Sequence, residues 1–372
     1  NKRPNNFYAI DDRTDYSRGF QFYAHDAEHT MFAEAFDPAY GLQEDRVNLH
    51  MRTDGSHMDV ADFSAFHPQW LHFKLTYNDE YRMRFRDRAH KHLSGGGSLT
   101  LAKLEERLNE REEQIDKAII AESARWGDAK RASPYTRDDH WIPQVNKLRN
   151  DYFPFRGDIV ISQLKFAGLY SSLEAPVAYH NEAIVSNQTV YLDEPGTISM
   201  ENKNSSGYFV YTTNGEDPRM VGGNANEEAF PYFGQELIFN LESSAVIKAR
   251  VRIGMEWSPI TEFTALVGDE DFSGLAITEL HYHPKESVYG EDTLSSKDLE
   301  FIEFKNIGEK AIDLAGLVLD SAVYYEFPDE AVLVPGQFYV VASKPSSFYR
   351  EYGMVPSGNY RKNLSNSGEE FL

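Results

Sequence analysis

The residues best suited to chemistry lie near the start of the chain. An aromatic run, Phe20–Ala24, precedes Asp26, so this carboxylate would lie where a strand leaves its sheet. About twenty residues earlier, Asn5 and Asn6 precede a second apolar run, Phe7–Ile10, a separation that suits a hairpin. Carboxylate and amide oxygens are the hard ligands that Mg²⁺ takes in phosphoryl transfer. The pattern is therefore compatible with a magnesium site, although on spacing alone a turn Asn and a loop Asp are the simpler interpretation.

The same segment supports a second interpretation as a zinc site. His25, Glu28 and His29 match the H-x-x-E-H pattern, in which two histidines one helical turn apart bind zinc and the glutamate is a general base. That chemistry needs a helix. Here the pattern follows a strand and is soon followed by Asp37-Pro38, with little helical periodicity around it. We therefore rank the zinc site below the magnesium site.

The elements that would carry these residues are a hairpin and a set of helices. Strands are predicted near 7–10 and 20–24, followed by a long polar loop over 41–70. Helical spacing of apolar residues then predicts helices over 70–85, from a Ser98 N-cap to about 119, over 142–152 and over 158–166. The glycines at 95–97 interrupt the helices and lack the features of a phosphate-binding loop.

Four arginines, Arg82, Arg84, Arg86 and Arg88, lie close together in the second helical stretch. They could contact a phosphate or an acidic substrate, or they could pair with the neighbouring acids Asp79, Glu80 and Asp87. We favour pairing, because alternate residues of a helix do not share a face.

After Gly168 the pattern changes to short alternating strands broken by Gly, Pro, Asn and Asp. An acidic stretch at 268–273 divides this region in two. Trp257 could stack on a sugar, but a core or edge role is simpler. His281 and His283 share one face of a predicted strand and could bind a metal, yet without a third ligand they read as surface histidines.

Composition limits the classes of partner. There are 37 Lys and Arg against 59 Asp and Glu, a net charge of −22, which disfavours nucleic acid. The chain has no cysteine, which excludes disulfides and thiolate sites, and no apolar run of membrane-spanning length. It begins at Asn1 without an initiator Met, and we expect an internal piece of a longer exported protein with a signal peptide upstream.

Several separated motifs in the first part resemble the CotH family of secreted, spore-coat-type atypical kinases. The matching stretches are Asn5–Ala9, Phe20–His29, Leu75–Arg82, Arg86–His92 and Ala121–Asp128. The resemblance implies that Asp26 and Asn6 are the catalytic and Mg²⁺-binding residues, and that Asn5 and Glu28 contact the ATP cofactor. It also implies that the catalytic base and the nucleotide lobe lie upstream of Asn1, so this piece alone would be inactive.

The two later regions also resemble known modules. The middle one is similar to the Ig-like C-terminal module of chitobiases and hexosaminidases through Tyr208–Arg219, Val246–Val251 and Glu256–Pro259. The last resembles a lamin-tail domain through Leu275–Leu280, Asp298–Asn306, Ile312–Leu317 and Val334–Ala342.

Together these observations predict an α+β multidomain protein. Residues 1–172 would form a kinase-like C-lobe of a β-hairpin plus helices, and 173–269 and 270–372 two Ig-like β-sandwiches, the last one truncated. The expected function is phosphate transfer from ATP to a surface or coat protein by a secreted or cell-surface kinase. The alternative is a non-catalytic adhesion protein with a degenerate kinase scaffold. In either case the β modules could bind glycan or matrix.

Overall fold

A computed structural model of the chain describes residues 7–11, 19–25, 31, 41–48, 68–129, 132–268, 271–289, 292–320, 322–329 and 331–365. Its helices are Pro68–Leu75 (α1), Asp79–Leu93 (α2), Leu101–Trp126 (α3), Ile142–Lys147 (α4), Phe153–Phe166 (α5) and Pro345–Tyr352 (α6), with π-helical turns at Arg137–Trp141 and Leu148–Tyr152 and a 3₁₀ turn at Ser296–Leu299.

The strands before residue 270 are Phe7–Ile10 (β1), Gln21–Ala24 (β2), Val177–His180 (β3), Ala183–Ile184 (β4), Thr189–Leu192 (β5), Gly196–Glu201 (β6), Tyr208–Thr212 (β7), Phe230–Tyr232 (β8), Glu236–Leu241 (β9), Ala245–Ile253 (β10), Glu256–Trp257 (β11) and Thr261–Val267 (β12). Those after it are Leu275–His281 (β13), Ser287–Tyr289 (β14), Asp292–Leu294 (β15), Phe301–Asn306 (β16), Ile312–Asp313 (β17), Val318–Leu319 (β18), Tyr325–Glu326 (β19), Val332–Leu333 (β20), Phe338–Ala342 (β21) and Gly358–Asn359 (β22).

The first helical stretch is divided in two, where apolar spacing alone predicted one helix. The side chain of Asn78 accepts a hydrogen bond from the Tyr81 backbone N–H at 3.0 Å and starts α2. An Asn in extended conformation is a favoured N-cap, so it ends one helix and begins the next. The predicted Ser98 cap is also wrong. Thr100 precedes α3, because its N–H and hydroxyl both bind the Gly97 carbonyl in a turn.

The long helix α3 lies on the outside of the helical part, and none of its residues is buried. It packs against α5 and the turn at Arg137–Trp141. Arg137 binds Asp116 at 2.5 Å across this contact, and Arg149 of the turn at Leu148–Tyr152 binds Glu112 at 2.7 Å. The run of Glu and Arg on this helix is therefore a solvated face with a few tertiary ion pairs. Among the described residues, no helix is both long and apolar enough to cross a membrane.

The middle region is a sandwich of two sheets. One has the order β4-β3-β6-β9, and the other β5-β12-β10-β7-β8 with β11 paired to β10. Strands β5 and β9 alternate strictly between exposed and buried residues, as expected where one face packs on a core. Ile198 and Met200 from the first sheet meet Phe209, Ile247 and Phe263 from the second, all nearly inaccessible to solvent.

The last region is built around a sheet of order β13-β16-β21-β22, with the short ladders β17–β20, β18–β19 and β14–β15 beside it. Ile302 and Phe304 of β16 enter a core with Leu314, Phe327 and Leu333. Phe301 lies on the opposite face of the same strand, where Phe348 of α6 packs on it. Each β region thus has its own core.

Candidate functional site

The predicted hairpin is confirmed. Strands β1 and β2 pair antiparallel, with Phe7 opposite Ala24 and Ile10 opposite Gln21. The chain therefore enters β1 and leaves β2 at the same end of the hairpin. The predicted site residues Asn5, Asn6, Asp26 and Glu28 lie outside the described residues.

The zinc interpretation stays untested for the same reason. His25 follows β2, and its ring stacks on Tyr8 with 4.4 Å between centroids. Glu28 and His29 lie outside the described residues. Within the described part of the chain, no group of three His, Cys, Asp or Glu residues is placed to hold a metal ion.

The arginine cluster on α2 pairs only in part with its own helix. Arg82 binds Asp79 one turn away, as predicted, and also donates to the Thr76 carbonyl at 2.6 Å. The other two acids bind arginines of the sandwich instead: Glu80 pairs with Arg219 and Asp87 with Arg250. The prediction of local pairing is therefore wrong for Glu80 and Asp87.

Arg250 is the centre of this contact. It lies on β10 between Ala249 and Val251 and faces away from the sandwich core, yet it is only 1% exposed because α2 covers it. Its guanidinium donates to both oxygens of Asp87 at 2.8 and 2.7 Å, and to both oxygens of Asp217 at 2.8 and 2.6 Å. Burial alone would lower the pKa of Arg250, but the two paired carboxylates raise it above its ordinary value.

Asp87 is held by more than this ion pair. One of its oxygens also accepts the Ile260 backbone N–H at 3.0 Å. Arg250 in turn donates to the Ser258 carbonyl at 3.0 Å and lies 3.6 Å from the sulfur of Met83. Most hydrogen-bonding groups of this charged cluster are thereby satisfied, which is the condition for burying charge without a large penalty.

A second bidentate ion pair lies near the first. Arg219 donates to both oxygens of Glu80 at 2.8 Å, and the Gly222 N–H donates to the same carboxylate at 2.9 Å. These hydrogen bonds lower the pKa of Glu80 to about 2, and the bond from Arg219 has the largest effect. Gly223 is fixed in the same loop, because its carbonyl accepts the Trp257 indole N–H at 2.9 Å.

The end of α2 makes a third contact with the sandwich through the glycine triplet. The Gly96 N–H donates to the Ser186 carbonyl at 3.0 Å. At Gly95, which has φ +56°, an added Cβ would lie 2.3 Å from that same carbonyl oxygen. The triplet therefore does more than interrupt two helices, since only glycine allows the backbone to approach the sandwich this closely.

His90 contacts the segment that connects α5 to β3. Its Nδ1 lies 2.7 Å from the Tyr170 hydroxyl, and the Ser94 hydroxyl is also within hydrogen-bond distance of the ring. The histidine is buried, and burial lowers its pKa to about 4, while burial raises that of Tyr170 to about 12.

Glu80, Met83, Asp87 and His90 are spaced by three, four and three residues, so they form one stripe along α2. We call this set the α2 stripe. Its first three residues contact the sandwich, and His90 contacts Tyr170. The spacing is visible in the sequence. Because the stripe contains charged, apolar and aromatic residues, a search for apolar periodicity does not find it.

Two aromatic predictions can be settled. Trp257 is only 3% exposed, and Arg252 lies over its ring at 4.7 Å, so it is a packed residue and not a sugar platform. His281 ends β13 and packs on Phe301 with 5.0 Å between centroids. His283 lies beyond the strand and is exposed, so the prediction that both histidines share a strand face is wrong.

Comparison with known proteins identifies the last region. Residues 270–370 match the family model of the lamin tail domain, and this part of the chain is a lamin tail domain with an Ig-like fold. No curated protein matches the chain. The resemblances of the first region to a CotH-type kinase and of the middle region to the chitobiase module stay predictions.

Proposed function

We propose that the chain belongs to an exported CotH-type protein kinase that transfers phosphate from ATP to a surface or coat protein. The hairpin register supports this most directly. Phe7 and Ala24 are paired, Asn6 precedes the first by one residue, and Asp26 follows the second by two. Both residues are therefore close in sequence to the same end of the hairpin, which supports a shared cation.

The donor set fits magnesium. An Asp carboxylate and an Asn amide oxygen are hard oxygen ligands of the type Mg²⁺ prefers. In the proposed site Asp26 and Asn6 hold the ion, and Asn5 and Glu28 contact the nucleotide. The metal would supply positive charge that neutralises the phosphoryl oxygens during transfer.

The test uses the protein at its full natural length, Mg²⁺ and labelled ATP. Asp26→Asn keeps the size of the side chain but weakens the metal site, so phosphate incorporation should fall by roughly a hundredfold or more. Asp79→Asn is the matched control, because Asp79 is an exposed acid paired only within its own helix region. Equal incorporation by wild type and Asp26→Asn would refute the kinase proposal.

A second candidate is a non-catalytic adhesion protein, in which the helical region is a scaffold for the β modules. The α2 stripe favours it, because Glu80 and Asp87, two turns apart on one helix face, both form bidentate ion pairs with arginines of the sandwich. This candidate gains support if Asp26→Asn has no effect while the protein still binds a glycan or matrix surface.

A further inference from the structure

A cleft lies where the middle sandwich meets the lamin tail domain. It has a volume of about 780 Å³. One wall is the outer face of β5, β10 and β12, and the facing wall is the turn of the lamin tail domain at 332–337. Lys91 from the end of α2 closes one side. Ligand sites have volumes of about 300–1,000 Å³ and often lie between domains.

The charges in this cleft largely cancel. Glu262 binds Lys91 at 2.8 Å and lies 3.6 Å from Lys248, so it pairs with both lysines. Glu228 accepts a hydrogen bond from the Asn214 amide at 2.5 Å. With Glu216 included, the lining has two lysines and three glutamates, a net charge of −1 on the surface of a chain with a net charge of −22. A ligand bound here would be recognised by hydrogen bonds and not by its charge.

Uncharged hydrogen-bonding groups line the sandwich wall. Thr189 of β5 and Thr264 of β12 are paired neighbours in a parallel ladder, and both side chains face outward into the cleft. The Asn214 amide oxygen accepts the Glu216 N–H at 3.1 Å, which fixes the orientation of that amide. Hydroxyls and amides each offer both donors and acceptors, so this wall can match a row of ligand hydroxyls.

The facing wall adds apolar surface and one more amide. Val334 and Pro335 present C–H groups, and Val246 contributes a similar patch from the sandwich side. The oxygen of the Gln337 amide accepts the Val334 N–H at 3.0 Å, which leaves its NH₂ group for another partner. A ring with hydroxyls at its edge and C–H groups on its faces is complementary to this combination.

We propose that this cleft binds a short neutral oligosaccharide. The sugar hydroxyls bond to Thr189, Thr264 and the cleft amides, and the C–H faces of the rings lie on Val246, Val334 and Pro335. The proposal does not depend on kinase activity, since it concerns only the junction of the middle sandwich and the lamin tail domain.

The test measures binding of neutral hexasaccharides of glucose, mannose and xylose to the whole chain by calorimetry. A hexamer of galacturonic acid and an uncharged Gly/Ser/Gln peptide are the comparison ligands. At least one neutral sugar should bind. The double variant Thr189→Val, Thr264→Val removes two hydroxyls while keeping the side-chain shape, so its affinity should fall at least tenfold.

Thr197→Val is the matched control, because Thr197 is an exposed strand threonine on the other sheet, outside the cleft. Its affinity should equal that of the wild type, and near-UV circular dichroism should show that both variants keep the fold. Three results would overturn the proposal: no neutral sugar bound at millimolar concentration, sugar binding that the double variant leaves unchanged, or binding of only the acidic sugar or the peptide.

Discussion

The two β regions cover the outer face of a sheet in opposite ways. In the middle sandwich the cover is α2, which lies far away in sequence and is held by Arg250 and its carboxylates. In the lamin tail domain the cover is α6, which follows directly after β21 and packs Phe348 on Phe301 at 5.2 Å between centroids. The first contact joins two parts of the chain through directional charged bonds. The second completes one domain through apolar burial.

This difference affects how strictly each covering helix is oriented and how strongly its contribution to stability depends on pH. Bidentate arginine–carboxylate pairs fix one orientation of α2 on the sandwich, because a small displacement breaks several bonds at once. The contribution of these pairs to stability depends on ionised carboxylates, and therefore on pH. Aromatic packing tolerates small shifts and is independent of pH.

The largest expected effect comes from removing the central arginine. Arg250→Met leaves Asp87 and Asp217 without their shared cation, and losing one partner of a buried pair costs about 3–5 kcal/mol. We expect about 4 kcal/mol, because the Asp87 side chain is only 20% exposed, whereas Asp217 is 40% exposed and adds little. Urea unfolding followed by far-UV circular dichroism measures the loss. Arg252→Met, at a partly buried position on the same face of β10, is the control: it removes a cation–π contact with Trp257 and should cost about 1 kcal/mol or less. Equal stability of both variants would show that α2 docks without this network.

The apolar cover should respond less strongly. Phe348 is 2% exposed and also packs on Tyr352 at 4.7 Å, so Phe348→Ala creates a cavity beneath α6. We expect a loss of about 3 kcal/mol that is the same at pH 7 and pH 5. Denaturant unfolding at both values tests this. Tyr349→Ala, at an exposed neighbouring position of α6, should cost much less. A pH-dependent loss for Phe348→Ala would erase the contrast between the two covers.

The smallest effect concerns acid sensitivity of the α2 contact. The unfolded chain protonates His90 near pH 6.5, whereas the folded one resists protonation until about pH 4. Stability should therefore fall as the pH drops through this window, by about 2 kcal/mol between pH 6.5 and pH 5. Asp87, Arg250 and Tyr170 lie around the ring, and the raised pKa values of Arg250 and Tyr170 lie far above this range. Glu80 adds a further loss only below pH 4.5, because its folded pKa is about 2.

His90→Gln should flatten the decline above pH 5, and unfolding midpoints measured at pH 7, 6 and 5 check this. His92→Gln is the matched control, because His92 is an exposed histidine of the same helix. A decline of equal steepness in wild type and His90→Gln would mean that another group causes it.

Local patterns in the sequence were sufficient for much of the fold. The aromatic runs of the hairpin and the long amphipathic spacing of α3 each predicted an element that the structure contains, and the short alternating strands predicted after Gly168 are present as well. These patterns work because side-chain direction in a strand or helix is fixed by backbone geometry within a few residues. The lamin tail domain was likewise recognisable from its strand motifs alone.

Errors arose where a local rule competed with a distant partner. An acid on a helix is expected to pair three or four residues away, and Asp79 does so with Arg82. Asp87 instead pairs with an arginine 163 residues later. No local pattern distinguishes the two acids, because both have arginines within reach on their own helix.

The sequence by itself therefore determined the elements, their buried faces and the lamin tail domain. Only the tertiary structure decided which charges meet, that Gly95 and Gly96 bring α2 onto the sandwich, and that a cleft of low net charge forms where two β regions adjoin. The physical reason is the range of the forces involved. Backbone geometry sets each element within a few residues, whereas a buried ion pair forms only after folding has brought both partners out of water and into contact.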